Sequence, residues 1–239
     1  MGEAANDTVR LLWGPPAKPT RGPKPTLSLE RIAAAGVEVA DAEGLGAVSM
    51  QKVAALLDFT KMSLYRYVPG KTELIALMVE SAVDEPPAPA EGAHWRGQLT
   101  AWAHHLAASF TRHPWLLDAT VGPRVPGPKE LAWLERVVAA LDGYGLTGAE
   151  RMDSAVLLAG HVRGIAEQAR AVGPNGSPEA ELLAALGTVV HRHADRYPAL
   201  AAAMAEPGGH DQALDFGLDR ILDGLAALID RRTEPRPPR

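Results

Sequence analysis

The 239-residue sequence contains no cysteine. This absence excludes disulfide frameworks, zinc sites with thiolate ligands and cysteine nucleophiles, and it fits a reducing compartment. No stretch approaches ~18 uncharged apolar residues, and the N-terminus lacks the apolar segment of a signal peptide. We therefore expect no membrane segment and a cytoplasmic protein. The GxSxG, P-loop and dinucleotide-binding patterns are also missing, which argues against an enzyme.

Aromatic residues are scarce, at 5% of the chain, and runs rich in valine, isoleucine and threonine are few. This scarcity leaves little support for a β-rich fold. Apolar residues nevertheless reach 46%, and alanine dominates them. Alanine has the highest helix propensity, so this composition favours closely packed helices. The sequence predicts an all-α fold.

Acidic residues are missing from one stretch and nearly missing from another, although the net charge of the chain is −5. Because DNA binding depends on the local charge of a surface, these stretches are candidate contacts with nucleic acid. The cations between Asp7 and Glu30 are Arg10, Lys18, Arg21 and Lys24. Between Gly44 and Thr72 they are Lys52, Lys61, Arg66 and Lys71, opposed by Asp58 alone.

Proline and glycine divide the chain into four predicted regions. Residues 1–27, with "WGPPAKPTRGPKP", are expected to be a flexible, extended basic arm. The stretch "DEPPAPAEG" at 84–92 is the clearest linker. We therefore expect a helix-turn-helix DNA-binding domain at 28–84, a helical ligand-binding and dimerisation domain at 93–232, and a disordered tail at 233–239.

The first of these domains has hydroxyl residues in front of each predicted helix. Ser28, Ser49 and Thr60 are suitable N-caps, because their side-chain oxygens can accept from free backbone N–H groups. Val53, Leu56 and Leu57 are expected to turn inward from the helix after Ser49.

The stretch "TKMSLYRYVPGK" predicts the second helix of a helix-turn-helix motif. At 100° per residue, Leu64 and Val68 share one side, which we expect to be buried. Met62, Ser63 and Arg66 lie opposite. The second helix of such a motif enters the major groove of DNA.

The side chains of this helix suit contacts with DNA. Arg66 can donate two hydrogen bonds to guanine O6 and N7, while Thr60 and Ser63 can reach bases or phosphates. The tyrosine hydroxyls and Lys71 suit phosphate oxygens. Ser49 also stands at a helix N-terminus, where free N–H groups favour phosphate.

The segment from "LSLERIAAAG" to "ELIALMVE" resembles the DNA-binding domain of TetR-family transcriptional regulators along nearly all of its length. The last helix, "FGLDRILDGLAALI", resembles that of the tetracycline-repressor subgroup. Gln51 stands where family members often carry a basic residue that reads a base. The resemblance implies DNA contacts by Thr60, Lys61, Ser63, Tyr65, Arg66, Tyr67 and Lys71.

The basic arm with "TRGPKP" resembles the N-terminal extension of the simocyclinone-responsive regulator, which enters the minor groove. A narrow minor groove attracts arginine and lysine, and the resemblance makes Arg21 and Lys24 the candidates here. The alternative is a disordered tail that only increases solubility.

Two predicted helices, at 147–171 and 210–231, carry apolar stripes that could build a four-helix dimer interface. Intrachain packing is the alternative, and some of each stripe must serve it. Gly160 and Gly164 are one turn apart and would allow close helix approach. The predicted interface residues are Ala155, Leu158, Val162, Ile165, Leu214, Leu218, Ile221 and Leu225.

The other helices of the C-terminal domain are expected to enclose a small-molecule pocket. Large apolar side chains with a few polar tips line such cavities, although each tryptophan could equally belong to the core. The candidates are Trp102, His105, Phe110, Trp115, Trp133, Met152 and His161. The eight histidines include no HExxH pattern, so no cofactor or metal site is predicted.

These observations predict a homodimeric, ligand-responsive transcriptional repressor that a small molecule releases from a palindromic double-stranded DNA operator. Two alternatives remain. One is a DNA-binding regulator without a small-molecule inducer. The other is a helical ligand-binding protein or enzyme whose first helices only imitate the motif.

Overall fold

A computed structural model describes residues 3–14, 27–90, 92–172, 178–206 and 213–233. Over these ranges the chain is helical, and none of them contains a strand. The all-α prediction is thereby confirmed. Within the same ranges, no helix combines the length and apolar character needed to cross a bilayer.

Residues 1–140 form the first of two compact units. A short 3-10 turn at Leu45–Ala47 separates its second and third α-helices, close to the predicted glycine break. The α-helices of this unit are α1 (Glu3–Trp13), α2 (Leu29–Glu43), α3 (Met50–Leu56), α4 (Lys61–Tyr65), α5 (Lys71–Ala82), α6 (Trp95–Arg112), α7 (Leu116–Ala119) and α8 (Pro128–Ala140).

The three predicted N-caps are present in the structure. Ser28 Oγ accepts from the N–H of Arg31 at 3.3 Å, and Ser49 Oγ accepts from the N–H of Lys52 at 3.2 Å. Thr60 also caps α4. Each cap satisfies one backbone donor that the helix itself leaves without a partner. These caps explain why the sequence predicted the starts of α2, α3 and α4 correctly.

Helix α2 packs against α5, and both belong to the region predicted to be the DNA-binding domain. The two helices approach closely at Gly36, where an added Cβ would lie 2.7 Å from Met78 Sδ. Ile32 and Leu74 are fully buried between them. The prediction for α3 was wrong at one position, because Leu56 is 48% exposed. Leu56 lies about 200° around the helix from the buried Ala54.

The N-terminal stretch differs from the extended arm that the sequence predicted. Residues 3–13 form α1, which packs against α5, and Thr8 is buried. Trp13 Nε1 donates to the carbonyl oxygen of Pro126 at 3.1 Å. Val9, Leu12 and Trp13 have helical spacing, and the proline-rich residues after them obscured this signal.

Residues 141–239 form the second compact unit. Helix α9 packs against both α12 and α10, and α10 packs against α11. Leu158 and Leu222 are fully buried in this unit. The helices of the unit are α9 (Gly148–Val172), α10 (Pro178–Arg192), α11 (Pro198–Ala205) and α12 (Ala213–Thr233).

The domain boundary at 84–92 remains a prediction. The boundary between the two compact units lies elsewhere, after Ala140. Helices α6, α7 and α8 therefore belong to the same unit as α2 to α5. Most of the predicted arm, at 15–26, and most of the predicted tail, at 234–239, lie outside the described residues.

Candidate nucleic-acid interface

Helices α3 and α4 are joined by a tight turn at Asp58. The N–H of Phe59 donates to the carbonyl of Ala54 at 2.9 Å, and the N–H of Asp58 donates to that of Ala55 at 3.2 Å. This pair of hydrogen bonds is a Schellman motif, which needs a residue in the left-handed region. Asp58 supplies it with φ of 60°. The turn fixes the direction in which α4 leaves α3.

The predicted sides of α4 are confirmed. Leu64 and Val68 are fully buried, whereas Met62 is 72% exposed and Tyr65 and Tyr67 are also exposed. Arg66 follows the last residue of α4 with helical dihedral angles, so it continues the outer face of the helix. The motif therefore presents a face of aromatic, cationic and thioether groups that packs on no part of its own core.

The hydroxyl groups on this surface are engaged in helix capping. Thr60 Oγ1 accepts from the N–H of Ser63 at 3.2 Å and lies 2.9 Å from Ser63 Oγ. Ser49 Oγ is the cap of α3. These side chains position the helices, and each hydroxyl keeps hydrogen-bonding capacity for a further partner.

The cations of the motif differ in their surroundings. Lys52 Nζ pairs with the carboxylate of Glu43. Lys61 Nζ lies 5.5 Å from the centre of the Tyr65 ring, in cation–π contact. No ion pair within the described residues involves Lys61, Arg66 or Lys71, and all three side chains are exposed. Their charges are therefore free to attract phosphate.

The structure places the predicted DNA-contacting residues of 49–71 on α3, on α4, at the caps that precede these two helices, in the residues just after α4 and at the start of α5. Gln51 is exposed on α3, and Lys71 begins α5. Arg21 and Lys24 lie outside the described residues. Met62 was not among the predicted contacts, although its position opposite Leu64 was visible in the helical spacing.

The carboxylate of Asp41, near the end of α2, holds the turn between α6 and α7. Asp41 Oδ1 lies 2.8 Å from His113 Nδ1 and accepts from Trp115 Nε1 at 2.7 Å. Arg112, the last residue of α6, donates to Oδ2 of Asp84, which lies just after α5, at 2.5 Å. The end of α2 and the residues after α5 are thus joined to the end of α6 by direct polar contacts.

Helix α8 makes a second junction with the end of α5. Both carboxylate oxygens of Glu80 accept from the N–H of Lys129 at 3.2 Å. Burial raises the pKa of Glu80, while the hydrogen bond from Lys129 acts in the opposite direction. An added Cβ at Gly127 would lie 2.1 Å from Glu80 Oε2, so a larger residue there would displace the carboxylate.

The tryptophans predicted to line a ligand pocket have partners within the first unit. Trp102 Nε1 donates to the carbonyl of Trp133 at 2.9 Å, and Trp133 Nε1 donates to that of Asp84 at 2.8 Å. The two rings meet edge to face, with centroids 5.6 Å apart. Trp115 is the donor to Asp41 already described. The three tryptophans are therefore buried in the core with their indole N–H groups hydrogen-bonded within the unit. Phe110 is also buried.

The other three candidates for ligand binding have different settings. His105 is exposed on α6, and Met152 is exposed on α9. His161 Nε2 lies 2.9 Å from the carbonyl oxygen of Leu214 and its ring lies against Gly217. Five candidates belong to the first unit, whereas Met152 and His161 belong to the second.

Three of the clefts formed by the described residues lie within a single unit each. The first, of about 640 Å³, lies between α2, α5 and the end of α6, and includes Glu38, Asp41 and Arg112. The second, of about 530 Å³, lies between α9 and α12, and the third, of about 260 Å³, lies between α10 and α11. None of the seven predicted ligand residues lines one of these three clefts, so the ligand site remains a prediction.

Helices α9 and α12 each have a buried side and an outer apolar side. The two helices pack against each other, and their buried sides contain five of the eight predicted dimer residues: Ala155, Leu158, Val162, Leu218 and Leu225. Intrachain packing, the alternative that the sequence left open, accounts for their burial. Ile165, Leu214 and Ile221 are half-buried.

The outer sides of α9 and α12 carry large exposed side chains. Val156 is 68% exposed and Phe216 is 64% exposed, and Leu157 lines the 530 Å³ cleft between the two helices. Gly160 and Gly224 have open space where a Cβ would stand. We call this surface the outer α9–α12 face.

Two family models match the chain. The model for bacterial regulatory proteins of the tetR family matches residues 32–78, which include α3 and α4. The model for the tetracyclin repressor-like C-terminal domain matches residues 88–229, more than half of the chain. The two matches together extend from α2 to α12.

The chain is also similar to curated regulators of actinomycetes. It is 40% identical to the HTH-type transcriptional repressor DrrR1 of Streptomyces coeruleorubidus over 96% of this chain and 89% of that protein. It is 31% identical to an HTH-type transcriptional regulator of Saccharopolyspora erythraea over 90% of this chain and 91% of that protein.

Solved structures of Streptomyces coelicolor ActR share this architecture. The complex of ActR with (S)-DNPA is 26% identical, with a TM-score of 0.70 over 85% of this chain and 98% of ActR. The complex with actinorhodin is 25% identical, with a TM-score of 0.70 over 84% of this chain and 96% of ActR.

Proposed function

The chain belongs to the TetR family of bacterial transcriptional regulators, and we propose that it acts in the cytoplasm as a homodimeric repressor that a small molecule releases from a palindromic operator. As a member of this family it is a DNA-binding regulator and not an enzyme. The proposal concerns the residues that read the operator, the surface that forms the dimer and the release by a ligand.

The outer face of α4 is the single observation that carries the proposed DNA contact. Leu64 and Val68 anchor the helix in the core, and Arg66 extends from the opposite side without an ion pair in the described part of the chain. Tyr65 and Lys61 flank it. In the major groove Arg66 would donate to guanine O6 and N7, while the lysines and tyrosines would contact phosphates.

Replacement of Arg66 tests this contact. We expect Arg66→Ala to weaken binding to the operator by ~1–3 kcal/mol, or about 5- to 150-fold, and to relax the preference at one base pair. Arg192→Ala, which removes an exposed arginine of α10, is the matched control and should leave binding unchanged. The measurement is a fluorescence-anisotropy titration of the DNA upstream of the gene, with competitor DNA present. Equal affinities for all three proteins would exclude base reading by Arg66.

A dimer is needed to read two half-sites about one helical turn, ~34–36 Å, apart. The outer α9–α12 face supports such a dimer, because it combines exposed Val156 and Phe216 with glycines that leave room for a close neighbour. A second copy of the chain would bury these side chains in a four-helix arrangement. We therefore propose this outer face as the dimer interface, instead of the predicted residues that are buried within the chain.

Release by a small molecule is supported by the ActR complexes with (S)-DNPA and actinorhodin. The polar contacts of Asp41 with His113 and Trp115 would carry a shift of α6 to α2 and so to α4. A ligand that binds one spacing of the two α4 helices better than the other would change operator affinity by that difference.

A panel of small molecules that begins with actinorhodin tests the release. We expect at least one compound to lower the affinity for the operator without unfolding the protein. If every compound left operator binding unchanged while the protein still bound its operator specifically, the chain would be a regulator without a small-molecule inducer, as the first alternative holds.

A further inference from the structure

Met62 is the most exposed of the large apolar side chains in the described part of the chain, at 72%. Single exposed apolar residues are common on protein surfaces, so exposure alone carries no function. The position of Met62 on α4, however, indicates a function. Met62 and Arg66 are four residues apart and lie about 40° from each other around the helix, on the side opposite Leu64 and Val68.

The neighbouring side chains leave the outermost position to these two residues. The hydroxyls of Thr60 and Ser63 lie 2.9 Å apart and face each other. The Lys61 ammonium lies 5.5 Å from the Tyr65 ring centre. The groups that project farthest from the buried side are therefore the Met62 thioether and the Arg66 guanidinium. The thioether can contact apolar surface, and the guanidinium can donate to hydrogen-bond acceptors.

We propose that Met62 reads the 5-methyl group of a thymine that lies about one or two base pairs from the guanine contacted by Arg66. Thymine is the base that presents a methyl group in the major groove, and apolar side chains contact it there. Four residues of α-helix rise about 6 Å, and stacked base pairs are about 3.4 Å apart, which sets this spacing. The flexible methionine side chain can follow the methyl group closely.

This inference rests on the proposed function and adds a specificity-determining residue to it. Arg66 alone would select a guanine and leave the neighbouring base pairs open. Met62 would distinguish T·A from the other pairs at a second position of each half-site.

A double-mutant cycle between the protein and the DNA tests the inference. Thymines of the operator are replaced one position at a time, in both half-sites, by deoxyuridine, which lacks only the 5-methyl group. We expect one position at which this replacement weakens binding of the unsubstituted protein about fourfold per half-site, the value of one buried methyl group. For Met62→Ala the same replacement should change the affinity little, because the apolar partner is already gone.

Two further variants keep the test specific. Met62→Leu retains an apolar side chain and should retain most of the sensitivity to the methyl group. Val121→Ala removes an exposed apolar side chain outside the motif and should retain all of it. Thermal unfolding of each variant shows that it is folded.

Two results would overturn the inference alone. One is specific operator binding that no thymine replacement weakens. The other is a loss that is the same for the unsubstituted protein and for Met62→Ala. If the unsubstituted protein bound no upstream DNA better than competitor DNA, the proposed function would fall together with the inference.

Discussion

Asp58 occupies a backbone conformation that most residues avoid. Its φ of 60° lies in the left-handed region, where a Cβ crowds the following carbonyl group. Aspartate tolerates this region better than β-branched residues do, and the Schellman hydrogen bonds of Asp58 and Phe59 require it. The direction of α4 therefore depends on one residue outside both helices.

Replacement of Asp58 by a β-branched residue tests this dependence. We expect Asp58→Val to lower the free energy of unfolding by about 1–2 kcal/mol, the cost of placing such a residue in the left-handed region. Asp58→Gly should not lower it, because glycine adopts positive φ without this cost. Chemical denaturation measures both. Equal destabilisation by valine and glycine would mean that the aspartate side chain, and not the backbone, stabilises the turn.

Glu150 stabilises the start of α9 through its charge. The N–H of Thr147 donates to Glu150 Oε2 at 2.8 Å, the N–H of Glu150 donates to Thr147 Oγ1 at 3.2 Å, and Arg232 pairs with the same carboxylate. These contacts form a capping box. The hydrogen bond from the Thr147 backbone, followed by that from Arg232, lowers the pKa of Glu150 from 4.5 to about 2.

A lowered pKa makes this contribution dependent on pH. The ionised carboxylate favours the folded chain above about pH 4.5, and its contribution is lost as the pH falls from 4.5 to about 2. Glu150→Gln should therefore lower the free energy of unfolding at neutral pH, and the difference from the unsubstituted protein should shrink as pH falls. Denaturant titrations at several pH values, with Glu135→Gln on α8 as control, measure this. A difference that stayed constant with pH would contradict the assignment.

At the scale of the elements, α9 and α12 approach each other closely where a histidine ring meets a glycine. The ring of His161 lies against Gly217, where an added Cβ would be 2.2 Å from His161 Cε1. The ring cannot move freely, because its Nε2 lies 2.9 Å from the carbonyl oxygen of Leu214. His161 therefore serves helix packing, a role that its sequence position among apolar residues did not reveal.

A methyl group at Gly217 should separate the two helices. Overpacking costs about 1–3 kcal/mol, and alanine regains up to about 1 kcal/mol of helix propensity. We expect Gly217→Ala to lower the free energy of unfolding by a net amount of up to ~2 kcal/mol. Gly97→Ala on α6, where nothing lies within 4 Å of the added atom, should raise it.

The double variant Gly217→Ala, His161→Ala tests whether a clash with the His161 ring causes this loss of stability. If the clash with the ring is the cause, the second substitution removes most of the penalty of the first, and the two effects are not additive. Additive effects would show that Gly217 matters for another reason.

The sequence predicted the elements best where local chemistry decides them. The caps at Ser28, Ser49 and Thr60 depend on neighbouring residues alone, and so does the periodicity that places Leu64 inside. Helix α1 was missed because its stability depends on packing against α5. The partners of Trp102 and Trp133 were also hidden, since they depend on tertiary contacts between α6, α8 and the residues after α5.

At the scale of the whole molecule, the account requires two copies of the chain. Helical spacing predicted the apolar stripes of α9 and α12, but spacing does not distinguish the side that packs within the chain from the side that meets a partner. Only the pairing of the two helices does so, and it leaves Val156 and Phe216 on the outside.

A charge placed on the outer α9–α12 face should separate the copies. We expect Val156→Arg to shift the sedimentation mass from that of two chains to that of one, 25.3 kDa. Operator affinity should fall with it, because a single copy reads one half-site. Val121→Arg, at an exposed site in the first unit, should remain dimeric. A dimeric Val156→Arg protein with full operator affinity would place the interface elsewhere.

Footprinting of the DNA upstream of the gene tests the central claim, that a dimer reads a palindromic operator through α4. We predict two protected half-sites related by a two-fold axis, with centres about one helical turn, ~34–36 Å, apart, and loss of protection by Arg66→Ala at the same protein concentration. Protection without two-fold symmetry, or protection that Arg66→Ala leaves intact, would contradict the account.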